Sequence, residues 1–359
     1  MARYIFKRLL LILPTLFGIM VINFTIIQFA PGGPVEQALA QATGLGNMSS
    51  TASISSANAM GPAESSGYQG ASGLDPELVE SLKRQFGFDK PPHVRFFNMM
   101  WNYLQFDFGH SYFQDRDVVD LVFERLPVSL SLGLWSLLLI YGISIPLGIS
   151  KAVKDGEAFD LWSSLIVFTA YAIPGFLFAV LLIVIFAGGS YLDWFPLRGL
   201  TSENADTLSF AAQVKDYLWH LTLPLIALTI GGFATLTMLT KNSFLEELNK
   251  QFVLTAYAKG LSQTRVLYGH VFRNAMLIVI AGFPAAFIGI LFTGALLIEV
   301  IFSLDGIGLL GYEAVIKRDY PILFGTMYCF TLIGLFMQLI GDLTYTLIDP
   351  RIDFESRDS

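Results

Sequence analysis

The chain has 359 residues, of which 54% are hydrophobic and only 14% are charged, and its formal net charge at pH 7 is −7. This composition lies outside the usage of soluble globular domains. The acidic balance argues against nucleic-acid binding, which needs a basic face. A single cysteine, Cys329, excludes an internal disulfide.

Six apolar runs are each long enough to cross the hydrocarbon core of a bilayer as a helix, which takes about 20 residues. In hydrocarbon only helices and closed barrels satisfy the backbone, and these runs lack the alternation of barrel strands. We therefore predict an all-α polytopic membrane protein with six transmembrane helices. The runs cover about Leu9–Ala30, Pro127–Ile149, Leu161–Ala187, Leu218–Leu239, Ala275–Ile298 and Ile322–Ile348.

The placement of lysine and arginine predicts the orientation. With the N-terminus inside, the cytoplasmic segments carry 12 of the 22 basic residues in a small part of the chain; these segments are 1–8, 151–160, 240–274 and 349–359. Positive charge concentrates on the cytoplasmic side, so both termini are predicted to be cytoplasmic. The apolar run within 1–30 is longer than a signal-peptide core and is predicted to be an uncleaved first span.

Residues 31–126 form the predicted periplasmic region. Within it, residues 37–73 are rich in Ala, Ser and Gly and indicate a flexible low-complexity insertion. Residues 74–126 are amphipathic and aromatic, and Asp75 with Pro76 is typical of a helix start. Two interpretations of the aromatic stretch stay open. It is either a short helix resting at the outer membrane interface or a surface for docking or substrate entry.

The core predicted at 127–348 contains five of the six spans, and the polar segment 240–274 interrupts it between the fourth and fifth. This segment has helix-forming residues and is far longer than a simple connection requires. Ala256, Ala258 and Gly260 would leave a surface that another protein's backbone can approach closely. We therefore predict that something outside the membrane docks here.

The sequence carries no motif for catalysis or for nucleotide binding. No lysine follows a glycine, as a Walker A loop requires, and the four histidines are scattered over different segments, so a metal site is not expected. Residues Gly306–Gly311 match G-x-G-x-x-G, but no strand–helix–strand unit surrounds them, which favours a glycine-rich turn. We predict a protein that is not an enzyme and binds no cofactor or metal itself.

Two acidic residues lie in or beside the spans and form a candidate intramembrane polar site: Glu299 at the outer end of the fifth run and Asp342 near the inner end of the sixth. We interpret Asp342 as a helix-end charge that bonds within the bundle or to a partner. An ion-coupled secondary transporter would want several acids at the membrane midplane, and a channel would want a filter segment. Neither feature is evident, and both classes are kept as alternatives.

A series of short motifs resembles the inner-membrane permeases of ABC dipeptide and oligopeptide importers, in particular their Yej-type branch. Singly these motifs are weak, but their order and spacing are specific, and the match covers nearly the whole chain outside 37–73. They include Pro14–Gly18, Ala30–Pro34, Phe86–Pro91, Phe106–Gly109, Glu124–Pro127, Ile145–Ile149, His220–Pro224, Ala258–Ser262, Arg273–Ala275, Arg318–Pro321 and Asp349–Arg351.

The resemblance implies a role for segment 240–274, which in this family is the EAA loop with a short coupling helix that inserts into a cleft of the ATPase. It assigns ATPase coupling to Phe252, Thr255, Ala256, Ala258, Lys259, Gly260, Leu261 and Ser262, and support of the loop to His270, Arg273 and Asn274. Gly260 is predicted to end the helix with a left-handed turn. Leu254 and Thr255 replace the Glu and Ala of many importers, and Ile278 replaces a frequent Pro, so a Glu-mediated contact is not expected.

The resemblance further implies the transmembrane-domain fold of ABC type I importers, in the bacterial inner membrane. The expected partners are a periplasmic peptide-binding protein, a second homologous permease, and ABC ATPase subunits that bind ATP and Mg. Closure of the ATPases would rearrange the bundle as a rigid-body switch. The expected substrates are oligopeptides, extending in the Yej-type branch to peptide antibiotics of the microcin C type.

Overall fold

The computed structural model describes residues 2–29, 33–36, 38, 76–189, 191–289 and 296–348. The predicted insertion at 37–73, apart from residue 38, and the predicted tail at 349–359 lie outside these residues. Within them the regular structure is helical, and the one β-bridge, between His110 and Asp117, is isolated.

The α-helices with defined bounds among the described residues are numbered in chain order. They are α1 Ala2–Phe29, α2 Pro76–Gln85, α3 Pro92–Leu104, α4 Val118–Val153, α5 Ala158–Ala172, α6 Gly175–Phe186, α7 Phe210–Leu248, α8 Gln251–Ala258, α9 Gln263–Val266, α10 Phe272–Ala281, α11 Phe283–Gly289, α12 Leu296–Ile301, α13 Ile307–Lys317 and α14 Tyr320–Ile348. A π-helical turn, Leu267–Val271, joins α9 to α10.

In the part of the chain that the structure describes, five helical segments are long and apolar enough to cross a membrane, and a bent pair brings the number to six if it counts as one span. The five are Tyr4–Phe29, Val118–Val153, Phe210–Leu248, Gln263–Gly289 and Tyr320–Thr344. The apolar runs of the sequence therefore predict the helical architecture, although the bounds of several spans differ from those predicted.

The third predicted span is a bent pair, since α5 and α6 meet at 92°. Ile173 and Pro174 between them both have extended backbone, with ψ of 119° and 129°. Proline disfavours the helical conformation in the residue that precedes it, so the break falls where the sequence places Pro174. The run Leu161–Ala187 is thus helical on both sides of this break, and it makes the sixth span if the bent pair is counted as one.

The fifth span begins earlier than predicted, at Gln263 rather than Ala275. Residues 290–295 of the predicted run lie outside the described part, and its last residues, from Leu296, are helical in α12. The fourth span is also longer than predicted, since α7 runs for 39 residues, roughly 58 Å at 1.5 Å per residue. Most of segment 240–274 is therefore helical.

The chain divides into two compact units. The first comprises Met1–Leu9, Arg125–Leu309 and Ile333–Ser359. It has two apolar cores: one joins α4, α7, α8 and α10 around Phe244 and Val266, and the other packs α6 against α7 and α12 around Leu221 and Phe302.

The second unit comprises Leu10–Glu124 and Leu310–Leu332. Aromatic rings form much of its interior, and Tyr103 packs edge-on against both Phe108 and Tyr328. The buried carboxylate of Asp319 accepts hydrogen bonds from the Ser111 hydroxyl and the Tyr112 backbone N–H. This bonding ties segment 111–112 to the start of α14, and burial raises the pKa of Asp319.

Candidate functional site

The segment predicted to couple to an ATPase contains the short helix α8, which ends in a Schellman turn. The Leu261 N–H bonds the Ala256 carbonyl at 3.3 Å, and the Gly260 N–H bonds the Tyr257 carbonyl at 2.9 Å. Gly260 has a φ of +79°, the left-handed conformation that glycine adopts without steric cost. The predicted left-handed turn at Gly260 is confirmed.

One face of α8 is buried against the rest of the chain, and the opposite face is exposed. Val253 and Ala256 are buried in the apolar core, with Phe252 and Leu261 packed against them. The outer face presents Leu254, which is 67% exposed, together with Tyr257. Thr255, Ala258, Lys259 and Gly260 are exposed as well, and so is Ser262 just after the turn.

Ala256 differs from the expectation that it forms part of a docking surface. Its side chain is only 7% exposed and packs into this chain's own core. The small side chain at this position therefore allows α8 to lie close to the core. Most of the other coupling residues are accessible, and their role in docking stays a prediction.

The three residues predicted to support the loop lie around the π-helical turn and the start of α10. His270, Arg273 and Asn274 all have exposed side chains. Asn274 lines a recess of about 300 Å³ together with Ser243, Glu246 and Glu247 of α7. The Ser243 hydroxyl donates to the Ala275 carbonyl at 2.6 Å, which ties α7 to α10 beside this recess.

A buried charge cluster lies at the junction of α4, α5 and α7, and the sequence analysis missed it. The ammonium group of Lys151, which is 0% exposed, lies 3.0 Å from one carboxylate oxygen of Asp160. It also donates to the hydroxyls of Ser163 and Ser164. Lys241 of α7 contacts the other Asp160 oxygen at 2.7 Å.

The same cluster extends to the turn before α5. Lys241 also contacts Asp155 at 2.8 Å, and the Gly156 N–H donates to Asp160 at 3.2 Å. One carboxylate therefore holds two lysines and the intervening turn together. These charged residues lie at the ends of apolar runs, and this position was the one sign of the cluster in the sequence. The sequence alone does not show that Lys241 lies beside Asp160.

Close backbone packing brings α4 and α7 together next to this cluster. A Cβ atom on Gly148 would lie 2.6 Å from Thr240 Cβ and 2.8 Å from the Thr237 carbonyl oxygen. Small residues such as glycine permit helices to approach this closely. The core of α8 and the charge cluster are thus attached to the same pair of helices.

Glu299 is a fully buried acid, 0% exposed, and the glycine-rich turn surrounds it. Its carboxylate accepts hydrogen bonds from the Ser129 hydroxyl at 2.9 Å and from the Leu309 N–H at 2.7 Å. Cβ atoms on Gly306 and Gly308 would lie 2.3 Å and 2.9 Å from its carboxyl group. The G-x-G-x-x-G stretch therefore makes room for a carboxylate of the same chain, and burial raises the pKa of Glu299.

Asp342 has separate partners within the same unit. It forms an ion pair with Arg8 at 2.9 Å and accepts a hydrogen bond from the Tyr4 hydroxyl at 2.9 Å. This agrees with the interpretation of Asp342 as a charge bonded within the bundle. Glu299 and Asp342 each have their own partners, so these contacts do not join them in one polar site.

Comparison with known proteins places these features in a family. Residues 144–354 match the family described as "Binding-protein-dependent transport system inner membrane component". A peptidoglycan transport system permease protein YejB of Agrobacterium fabrum is 61% identical over the full length of both chains. An inner membrane ABC transporter permease protein YejB of Escherichia coli is 57% identical, over 99% of this chain and 100% of that one.

More distant similarities are also present. An oligopeptide transport system permease protein AppB of Bacillus subtilis is 31% identical over 99% of this chain and 100% of that one. Among solved structures, the inward-facing MetNI methionine ABC transporter matches with a TM-score of 0.49 and 15% identity, covering 64% of this chain and 97% of that chain. A similarity at that level does not by itself establish a shared fold.

Proposed function

Because the chain belongs to the family of binding-protein-dependent transport system inner membrane components, we propose that it is the permease subunit of an ATP-driven importer of peptides. It is a multi-pass protein of the bacterial inner membrane and a non-catalytic component of its transporter. The single observation that carries the proposal is the 57–61% identity, over essentially the whole chain, to two permeases of this class.

The partners in this proposal follow the family. A periplasmic binding protein delivers the peptide, a second homologous permease completes the pathway, and ABC ATPase subunits bind ATP and Mg and hydrolyse the nucleotide. Both chain termini and α8 lie on the cytoplasmic side. In this arrangement the exposed face of α8, with Leu254 and Tyr257, contacts the ATPase.

The packing of α8 supports a mechanical role for it. Its inner face shares one apolar core with α4, α7 and α10, and the Asp160 cluster fixes the ends of α4 and α7 to the turn before α5. A force applied to the outer face of α8 would therefore reach three membrane helices through packed side chains rather than through a loose loop. Such contiguous packing suits a rigid-body switch.

The substrate class rests on the relatives. The Bacillus subtilis relative is named as an oligopeptide transport permease, and the Agrobacterium fabrum relative is named as a peptidoglycan transport permease. We propose short peptides as the substrates, including peptides derived from peptidoglycan. Uptake of peptide antibiotics of the microcin C type stays a prediction.

The test is reconstitution of the full importer, with measurement of peptide-stimulated ATP hydrolysis and peptide uptake. Replacing the exposed Leu254 by Asp should lower stimulated hydrolysis roughly tenfold, the size typical of losing an interface anchor, without lowering the yield of folded protein. Thr264→Asp, at another exposed position just outside α8, serves as the matched control and should retain activity. Peptide transport by the isolated chain, without an ATPase, would refute the proposal and favour a secondary transporter.

A further inference from the structure

Side chains of α3 form three stripes along the helix, and one of these stripes is apolar but exposed. Residues three or four positions apart lie on the same side of a helix. One stripe is buried in the second unit, the next is exposed and apolar, and the third is exposed and polar. In that order they consist of Phe96, Met100 and Tyr103, of Phe97, Trp101 and Leu104, and of Asn98, Asn102 and Gln105.

The exposed apolar stripe is a surface that favours an apolar neighbour. Phe97, Trp101 and Leu104 are 62%, 67% and 52% exposed. A large apolar side chain gains about 1.5–3 kcal/mol when it is moved from water into apolar surroundings. Three such side chains in line on one helix are therefore expected to be covered.

Contacts between α3 and α1 give the depth of α3 in the membrane. The ring of Phe96 lies 5.6 Å from that of Phe17 and 5.2 Å from that of Phe24. These two positions lie about 18 Å and about 7.5 Å before Phe29, the last residue of α1, at 1.5 Å per residue. The apolar stretch of α1 after Arg8 is only about long enough to cross a hydrocarbon core of roughly 30 Å. The end of α1 therefore lies near the membrane surface, and Phe96 lies below it.

The other end of α3 lies at a similar depth against α14. The ring of Tyr103 lies 5.4 Å from that of Tyr328, which is about 12 Å along α14 from its first residue, Tyr320. Phe24 stacks on Phe324 at 5.8 Å, so the end of α1 and the start of α14 are at one level. Because both ends of α3 lie below that level, the helix runs roughly along the membrane plane within one leaflet.

The charged groups around α3 lie away from the exposed apolar stripe. Arg95 is one turn before Asn98 and continues the polar stripe, and its guanidinium donates to the Gln28 side chain in the last turn of α1 at 2.9 Å. This bond directs the polar stripe toward the membrane surface. Lys90 and Asp107 lie beyond the two ends of α3, and both are exposed.

We propose that α3 is an in-plane membrane helix, and that Phe97, Trp101 and Leu104 pack against the acyl chains of lipids. The surface of α1 continues onto this stripe, because the exposed ring of Phe17 and the ring of Phe97 both contact Phe96. A soluble partner does not reach this depth, and tryptophan is enriched where the bilayer meets water. In the orientation proposed above the leaflet is the periplasmic one, and this detail alone rests on the proposed function.

The experiment measures the surroundings of spin labels in the assembled importer in nanodiscs, on a Cys329→Ser background. Phe97→Cys and Trp101→Cys place a label on the apolar stripe, and Asn98→Cys and Asn102→Cys are the matched controls on the polar stripe. Oxygen concentrates in hydrocarbon, whereas a polar nickel complex is excluded from it. The ratio of oxygen to nickel accessibility should be about fivefold or more higher on the apolar stripe than on the controls.

Two patterns would overturn the proposal. High nickel accessibility at positions 97 and 101 would place the stripe in water. Low accessibility to both reagents would show that protein covers it, as a second permease would.

A second measurement needs no substitution and therefore decides the question even if a cysteine variant fails to assemble. Nanodiscs are prepared with a phospholipid that carries a photoreactive diazirine in its acyl chain, and adducts are located by mass spectrometry after irradiation. Adducts are expected at Trp101 or Leu104 and not at Asn102. Adducts on α1 at Phe17 without any on α3 would contradict the lipid contact.

The two proposals fail in different ways. If the wild-type importer shows no peptide-stimulated ATP hydrolysis, the proposed function is wrong, while the accessibility of the labels still reports the depth of α3. If stimulation is normal but the labels on both stripes have equal ratios, only the in-plane helix is wrong.

Discussion

Gly260 shows how one residue sets the end of α8. Its φ of +79° lies in the region that costs other residues about 1–2 kcal/mol. We expect Gly260→Ala to lower the free energy of unfolding by about that amount and to weaken coupling between ATP hydrolysis and transport. Denaturant or thermal unfolding of the purified protein measures the first effect.

Gly269 provides the matched control for that substitution. It lies in the π-helical turn, with open space where a Cβ would lie and no positive φ. Gly269→Ala should be neutral or stabilise by about 0.5–1 kcal/mol. If both variants unfold alike, the backbone conformation of Gly260 has no special importance.

Glu299 should make stability depend on pH. Burial raises its pKa above the ordinary value of 4.5, so the folded protein holds this proton more tightly than the unfolded chain. The contribution of Glu299 to the free energy of unfolding is therefore fully present below about pH 4.5 and is lost as the pH rises through the raised pKa. Glu299→Gln removes the titration, so the wild type should lose stability relative to this variant as the pH rises from about 4.5 through the raised pKa.

The measurement is the difference between the two unfolding curves at each pH, since Asp319 and other groups titrate in both proteins. A difference that stays constant over this range would show that Glu299 keeps the same pKa in the folded and unfolded chains.

Among the elements, the Asp160 cluster holds three helices at one point. Asp160→Asn would leave Lys151 buried without its carboxylate and would leave Lys241 with only Asp155, and breaking a buried ion pair costs about 3–5 kcal/mol. The loss should appear as a lower unfolding midpoint and a lower ratio of peptide uptake to ATP hydrolysis. Glu246→Gln, which removes an exposed pair with Lys250, should cost about 0–1 kcal/mol.

The helices were predictable to different degrees. The apolar runs predicted the helices, because a chain that crosses hydrocarbon must form long helical spans. The prolines did not predict which span is bent, because several spans contain one. Pro14, Pro146 and Pro224 lie inside continuous helices, whereas Pro174 separates α5 from α6. The sequence around each proline is similarly apolar, and neighbouring helices decide which break is tolerated.

At the scale of the whole molecule, the orientation is open to a direct test. Cys329 is the single cysteine, so Cys329→Ser gives a background for Lys259→Cys and His110→Cys, both at exposed positions. A membrane-impermeant maleimide should label position 110 in right-side-out vesicles and position 259 only after permeabilisation. The reverse pattern would place α8 outside and contradict an ATPase contact.

The family and the membrane location were predictable from ordered motifs, and the comparisons confirm both. The partners of the charged residues were not predictable, because they pair across long separations. Lys241 meets Asp160 across 81 positions, and Ser129 meets Glu299 across 170. Hydropathy and spacing report local structure only, so neither cluster could be assigned before the fold was known.

The bond between Tyr4 and Asp342 joins residues 338 positions apart, and Arg8 shares the same carboxylate. During synthesis the first helix enters the bilayer long before Asp342 leaves the ribosome, so this junction forms only after every other span has been made. The contact between α1 and α14 can therefore form only once α14 has been inserted. A chain that ends before Asp342 would therefore lack this contact on its first helix.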